Sequence, residues 1–240
     1  MHKPLLIILP GWGGNRLTWN EFICKAEKKF DVECIELPCF GIERCPDSIW
    51  GVEQYAEFVK KKIEEIKLAT TDRPIILLGH SFGGQVAVYI ASHNSQLINK
   101  LILSGAAVFR DDKSIRRGLF YAIAKIGKLL FKLPFLEKLT IDAQRILYRI
   151  AKSPDYSHTT GIKREIFKKI VRQDMSHFLS KIDLPTLVIW GTKDSHVPLR
   201  YGKQIAELIP GAKLKIIKRG KHGLHMQYPN ELLSLILDFV

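Results

Sequence analysis

The chain of 240 residues lacks long apolar runs, internal repeats, low-complexity tracts and Cys-x-x-Cys pairs. No apolar stretch approaches the roughly 18 residues of a membrane-crossing helix. The first apolar run, residues 5–9, is too short for a secretory leader and runs directly into a glycine turn, so a cytoplasmic location is expected. Cysteine is scarce and confined to one early segment, at Cys24, Cys34, Cys39 and Cys45. Cys24 falls in a helical pattern and Cys34 in a strand pattern. That disfavours a zinc site and predicts reduced, structural thiols. His2, His93, His158 and His177 are scattered without metal-ligand spacing, and neither a metal nor a cofactor is implied.

What the chain does have is charge, unevenly placed. Of the formal net charge of +13, residues 110–174 hold 16 Lys and Arg against 7 Asp and Glu, leaving the remainder nearly balanced. A local basic excess fits an anionic lipid surface or a merely solvated face, with the solvated face the commoner case. No nucleic-acid-binding module or interleaved basic and aromatic strand is present, so no nucleic acid partner is expected. The apolar fraction of 46% and charged fraction of 25% are those of an ordinary globular domain. Oligomeric state has no signature in the sequence.

Short runs rich in Leu, Ile and Val recur at 5–9, 32–37, 74–78, 100–103, 186–190 and 213–217. Helical patterns over 19–29, 52–67, 85–93 and 200–208 separate most of them. Nearly continuous apolar strands alternating with helices predict a parallel sheet of about six strands with helices on both faces. The alternation stops between Leu103 and Thr186. The expected organisation is therefore a core over 1–108 and 176–240, with a helical cap over 109–175 inserted at the carboxyl edge of the sheet. Its first helix, over 114–133, carries Ile115, Leu119, Ile123, Ile126 and Leu130 on one stripe and Arg117, Lys125, Lys128 and Lys132 on another. Such a helix can associate weakly with an anionic membrane surface. Further helices are expected over 136–152 and 162–171.

One motif carries chemistry. Residues 74–84 read Pro-Ile-Ile-Leu-Leu-Gly-His-Ser-Phe-Gly-Gly, a buried strand that breaks at Gly79, presents Ser81 and enters a helix through Gly83. A serine on so sharp a turn needs neighbours without side chains two residues away, and Gly79 and Gly83 supply that clearance. A serine hydroxyl is a weak nucleophile near neutral pH and needs a base held by an acid. Asp194 follows the strand at 186–190, and His222 follows the strand at 213–217. The rivals are His225, three residues past His222 and read as a packing residue, and Asp111 or Asp112 as the acid. His80 is expected to point away from the pocket or line its wall, and His196 to be a solvated loop residue.

These motifs, in the order Ser81, Asp194, His222, resemble the α/β-hydrolase superfamily and its serine esterase, lipase and thioesterase group. The resemblance covers residues 4–104 and 185–240. It implies an α/β-hydrolase fold with Ser81, Asp194 and His222 as the catalytic residues. Leu9-Pro-Gly-Trp-Gly-Gly14 is similar to the family's His-Gly-x-Gly loop, with Pro10 in place of histidine, which implies an oxyanion hole made by the backbone amides of Trp12 and Phe82. Leu37-Pro-Cys-Phe-Gly41 resembles the family's Leu-Pro-Gly-x-Gly loop, with Cys39 in a glycine's place and read as structural. The implied reaction is hydrolysis of a small-molecule carboxylic ester or thioester through an acyl-enzyme, with Leu119, Phe120 and Ile123 as possible lining for an apolar acyl group. C–C bond, peroxy and amide hydrolysis, or a ligand-binding scaffold without turnover, remain alternatives.

Overall fold

The computed structural model describes residues 3–69, 73–110 and 159–240. Six strands, β1 (Leu5–Leu9), β2 (Asp31–Cys34), β3 (Ile75–His80), β4 (Lys100–Ser104), β5 (Thr186–Gly191) and β6 (Lys213–Ile217), form one sheet in the order β2-β1-β3-β4-β5-β6. All five pairings are parallel, as the continuous apolar strands predict. The winding direction reverses between β1 and β3. The crevice beyond their carboxyl ends is therefore the switch point at which sheets of this kind bind ligands.

Side chains alternate across the sheet and build two cores. Leu5, Ile7, Leu9 and Leu77 pack against α2 (Val52–Ala69), α3 (Phe82–His93) and α5 (Leu199–Leu208) through Val52, Tyr55, Val86, Ile90 and Ile205. Leu6, Ile8, Ile76 and Leu78 pack on the opposite face against α1 (Arg16–Ala26), α6 (Leu224–Gln227) and α7 (Pro229–Leu237) through Trp19, Phe22, Leu224, Leu232 and Ile236.

Several elements differ from the sequence reading for local reasons. Helix α1 starts three residues before the predicted 19, because the Asn15 side chain accepts from the Thr18 amide at 3.1 Å while the Thr18 hydroxyl accepts from the Asn15 amide at 3.1 Å. This reciprocal cap satisfies two amides that the helix leaves free. Helix α3 starts at Phe82 rather than 85, directly on the turn that holds Ser81. Strand β2 ends at Cys34 rather than 37.

The expectation of four reduced cysteines is wrong for two of them. Cys39 and Cys45 form a disulfide. Positive φ at Cys39 (79°) and Gly41 (57°) folds the chain back until the Cys39 amide donates to the Arg44 carbonyl, at 3.3 Å, which brings Cys45 beside Cys39. Cys24 and Cys34 are free, and burial, followed by Glu36, pushes the Cys34 thiol up to about 12. An unreactive, structural thiol is the result.

The chain leaves the core after Val108 and returns at Met175, whose amide donates to the Val108 carbonyl at 3.0 Å. Between them, α4 (Gly161–Ile170) matches the helix predicted over 162–171. The predicted helices over 114–133 and 136–152 lie outside the described residues, with Leu119, Phe120, Ile123, Arg117, Lys125, Lys128 and Lys132. So do Asp111, Asp112, His2 and His158. Among the described residues no helix is long and apolar enough to cross a membrane.

Phe22 is fully buried on the inner face of α1, in edge-to-face contact with Trp19 at 5.6 Å. Phe22→Ala should destabilise the fold by about 3–5 kcal/mol. Denaturant unfolding checks this, and an unchanged midpoint would contradict the packing described.

Candidate active site

The turn between β3 and α3 leaves no room for side chains at its glycines. A β-carbon at Gly79 would lie 2.7 Å from both the Ala87 Cβ and the Gly83 carbonyl oxygen, and one at Gly83 would lie 2.2 Å from the Leu9 carbonyl oxygen. At Gly84 the obstruction is the Ala106 Cβ, at 2.5 Å. Ser81 takes the bend itself, at φ 52° and ψ −113°. A non-glycine residue there costs roughly 1–3 kcal/mol and persists only where its surroundings over-determine it. The Ser81 carbonyl accepts from the Gly84 amide at 3.1 Å and the Ala107 amide at 3.0 Å.

The loop after β1 lies against this turn. A β-carbon at Gly11 would come within 3.0 Å of the Ser81 Cβ, so the Gly11–Trp12 backbone passes beside the serine. Phe82 is the first residue of α3, where an amide has no carbonyl within the helix to bond. The Trp12 ring rests on Phe40 (4.8 Å), Phe167 (4.9 Å) and Phe82 (5.8 Å).

Asp194 and His222 come together from the loops after β5 and β6. The His222 Nδ1 is 2.8 Å from the Asp194 Oδ2, while the Asp194 Oδ1 accepts from the His196 amide at 2.9 Å and the Val197 amide at 2.8 Å. The carboxylate is 1% exposed and the imidazole 17%. With both its oxygens occupied, the carboxylate fixes the ring with Nδ1–H toward Asp194 and Nε2 left to accept a proton. The two loops are locked by backbone: a β-carbon at Gly191 would strike the Gly220 carbonyl oxygen at 2.2 Å, and the Lys193 amide donates to that oxygen at 2.8 Å. Gly105, at φ 56°, passes under the pair, where a β-carbon would sit 3.2 Å from the His222 Nδ1.

Three other histidines surround His222. The buried His80 ring lies 4.7 Å from it, and its Nδ1 donates to the Ser104 carbonyl at 2.8 Å. Burial, then His222 and His225, hold His80 well below the ordinary imidazole range. His225 is buried and stacks on Trp19 at 3.9 Å, making it part of the wall. His196 is exposed, as expected of a loop residue, yet its ring stacks on His222 at 5.0 Å. Sequence reasoning passed over that contact and the roles of Gly105 and Trp19. The Ser104-Gly105 step at the end of β4 is the one signal that could have been followed.

Comparison with known proteins places the chain in a family. It belongs to the Hydrolase_4 family (serine aminopeptidase, S33), whose model matches residues 45–228, and so to the α/β-hydrolase superfamily. It is a serine hydrolase of that superfamily. It is 26% identical over 246 residues to the pimeloyl-[acyl-carrier protein] methyl ester esterase of Neisseria meningitidis, covering 97% of this chain and 75% of the relative. Among solved structures it resembles a bromoperoxidase from Bacillus anthracis (TM-score 0.74, 21% identity, 99% of this chain and 91% of the other). It also resembles an esterase from Exiguobacterium antarcticum (TM-score 0.73, 20% identity, 99% and 92%). These structural likenesses show the fold.

The buried histidines give the protein a defined acid sensitivity. Burial, then His222, pushes His225 down from 6.5 to about 4. The unfolded chain binds this proton more tightly, so the stability carried by the neutral ring is complete above the unfolded value and is lost as pH falls from there towards about 4. His225→Phe keeps a ring on Trp19 and removes the titration. Its unfolding free energy should fall less than that of wild type between about pH 7 and 4.5, by about 2–3 kcal/mol; parallel losses in the two proteins would show that His225 takes up its proton alike in the folded and unfolded chains.

Proposed function

We propose that this protein hydrolyses a carboxylic ester or thioester through an acyl-enzyme on Ser81. The observation that carries the reading is the 2.8 Å pairing of His222 with the buried Asp194, beside a turn that forces Ser81 out of the sheet. In this reading His222 takes the Ser81 proton through Nε2, and Asp194 stabilises the imidazolium that forms. The Trp12 and Phe82 amides donate to the tetrahedral oxyanion, each contributing about 3–4 kcal/mol. Water then attacks the acyl-serine with His222 again as base. The relative from Neisseria is named for ester cleavage, which supports an ester over other acyl bonds.

The insertion over 109–175 acts as a cap in this reading. Support comes from α4, whose Phe167 rests on Trp12 and whose Lys163 ammonium donates to the Cys39 carbonyl at 3.1 Å. Amide cleavage is the second reading, favoured by the family's description as a serine aminopeptidase.

The test is a chain-length panel of nitrophenyl esters and acyl thioesters, with aminoacyl anilides alongside. Ester or thioester turnover should exceed anilide turnover in wild type, and the reverse order would support the aminopeptidase reading. Ser81→Ala and His222→Ala should each fold normally and lose a factor of about 10³ or more in kcat. Asp194→Asn should lose a comparable factor, because it favours the wrong imidazole tautomer. His225→Ala should lose far less than His222→Ala. Near-wild-type turnover by Ser81→Ala would end the proposal.

A further inference from the structure

The loop after β2 contains a feature that the proposed chemistry does not use. Cys39 stands in the left-handed region, at φ 79°, where L side chains are rare and glycine is the ordinary occupant. It stands at the position that holds glycine in the Leu-Pro-Gly-x-Gly loops that residues 37–41 resemble. The disulfide to Cys45 and the Cys39 amide bond to the Arg44 carbonyl close a short ring around this backbone.

The next residue connects this ring to the active site. Phe40 is buried, its amide donates to the Leu37 carbonyl at 2.9 Å, and its ring meets Trp12 edge to face at 4.8 Å. Lys163 of α4 closes the other side: its ammonium lies 4.5 Å from the centre of the Phe40 ring while donating to the Cys39 carbonyl. Phe40 thus sits between Lys163 and Trp12, one residue after the positive-φ Cys39. The backbone of Gly11, the residue before Trp12, in turn passes beside Ser81.

We propose that the Cys39–Cys45 disulfide is a positioning element of the active site: it holds residue 39 in a glycine-like conformation, seats Phe40 against Trp12, and so aims the Trp12 amide at the reacting carbonyl. The inference rests on the hydrolase reading in that it takes Trp12 as an oxyanion donor. It also makes activity conditional on oxidation. Cys45 is exposed and Cys39 half-buried, within reach of a small dithiol. Two electrons and two protons pass from such a dithiol to the cysteine pair, the S–S bond breaks, and the reductant leaves as its own disulfide. Residue 39 is then free to relax to negative φ, and Phe40 follows.

Two double variants separate the backbone angle from the cross-link. Neither C39S/C45S nor C39G/C45S can form the disulfide, but only the glycine accepts φ 79° without strain. The kcat of C39S/C45S should fall about tenfold with KM within about threefold, as for a misaimed transition-state donor. C39G/C45S should stay within about threefold of wild type. Dithiothreitol should bring wild-type kcat to the level of C39S/C45S and leave C39G/C45S unchanged. C39G/C45S should also melt higher than C39S/C45S, by about 2–4 °C.

Equal kcat and equal melting of the two double variants would overturn the proposal. So would four free thiols in air-oxidised wild type. If oxidised wild type neither turns over esters nor reacts with a fluorophosphonate, the hydrolase reading has failed instead, and the melting order of the two double variants decides whether residue 39 depends on the cross-link.

Discussion

The turn from β3 into α3 leaves no room for a β-carbon at residue 79, 83 or 84, and the rest of the site is arranged around that steric fact. Gly83 lies under the Leu9 carbonyl, Gly84 under Ala106, and Gly79 against Ala87. Three segments, the end of β1, the end of β4 and the start of α3, therefore pack backbone to backbone at one point. Their contact holds Ser81 at positive φ against a cost of roughly 1–3 kcal/mol. The same contact brings the Gly11–Trp12 backbone beside the serine. The backbone positions of Ser81 and of the Gly11–Trp12 segment are thus set by backbone packing.

A polar layer of similar rigidity surrounds this core. The Asp194 carboxylate is held by two backbone amides and one imidazole, and the close approach of Gly191 to Gly220 joins the loops that bear Asp194 and His222. Beside His222, burial favours the neutral forms of His80 and His225. Hydrogen bonds and developing charges act more strongly in such surroundings than in water, and fixed dipoles need little reorganisation.

How legible each part was in the sequence depended on the range of the interaction behind it. The strands and most helices follow from local apolar patterning, and Gly79, Ser81 and Gly83 from a spacing with a steric cause. Asp194 and His222 were reached through chain order and the ends of strands, and they stand 2.8 Å apart. Patterns of apolar residues did not reveal the start of α1, which is set by side-chain capping at Asn15 and Thr18. The four-residue α6 is too short to stand out as a periodic pattern. The Cys39–Cys45 bond was missed because thiol spacing says nothing of a loop that doubles back through two positive φ angles. The stacking of His196 on His222 is likewise a contact between two loops, visible only once both strands are in place.

The account stands on Ser81 as the nucleophile, and the most direct measurement is the site of covalent capture. Native protein incubated with a fluorophosphonate and digested for peptide mass spectrometry should carry one phosphonyl group, on Ser81, and heat-unfolded protein should carry none. A stable adduct on another residue of the native protein, or no adduct on a sample shown to be folded, would contradict it.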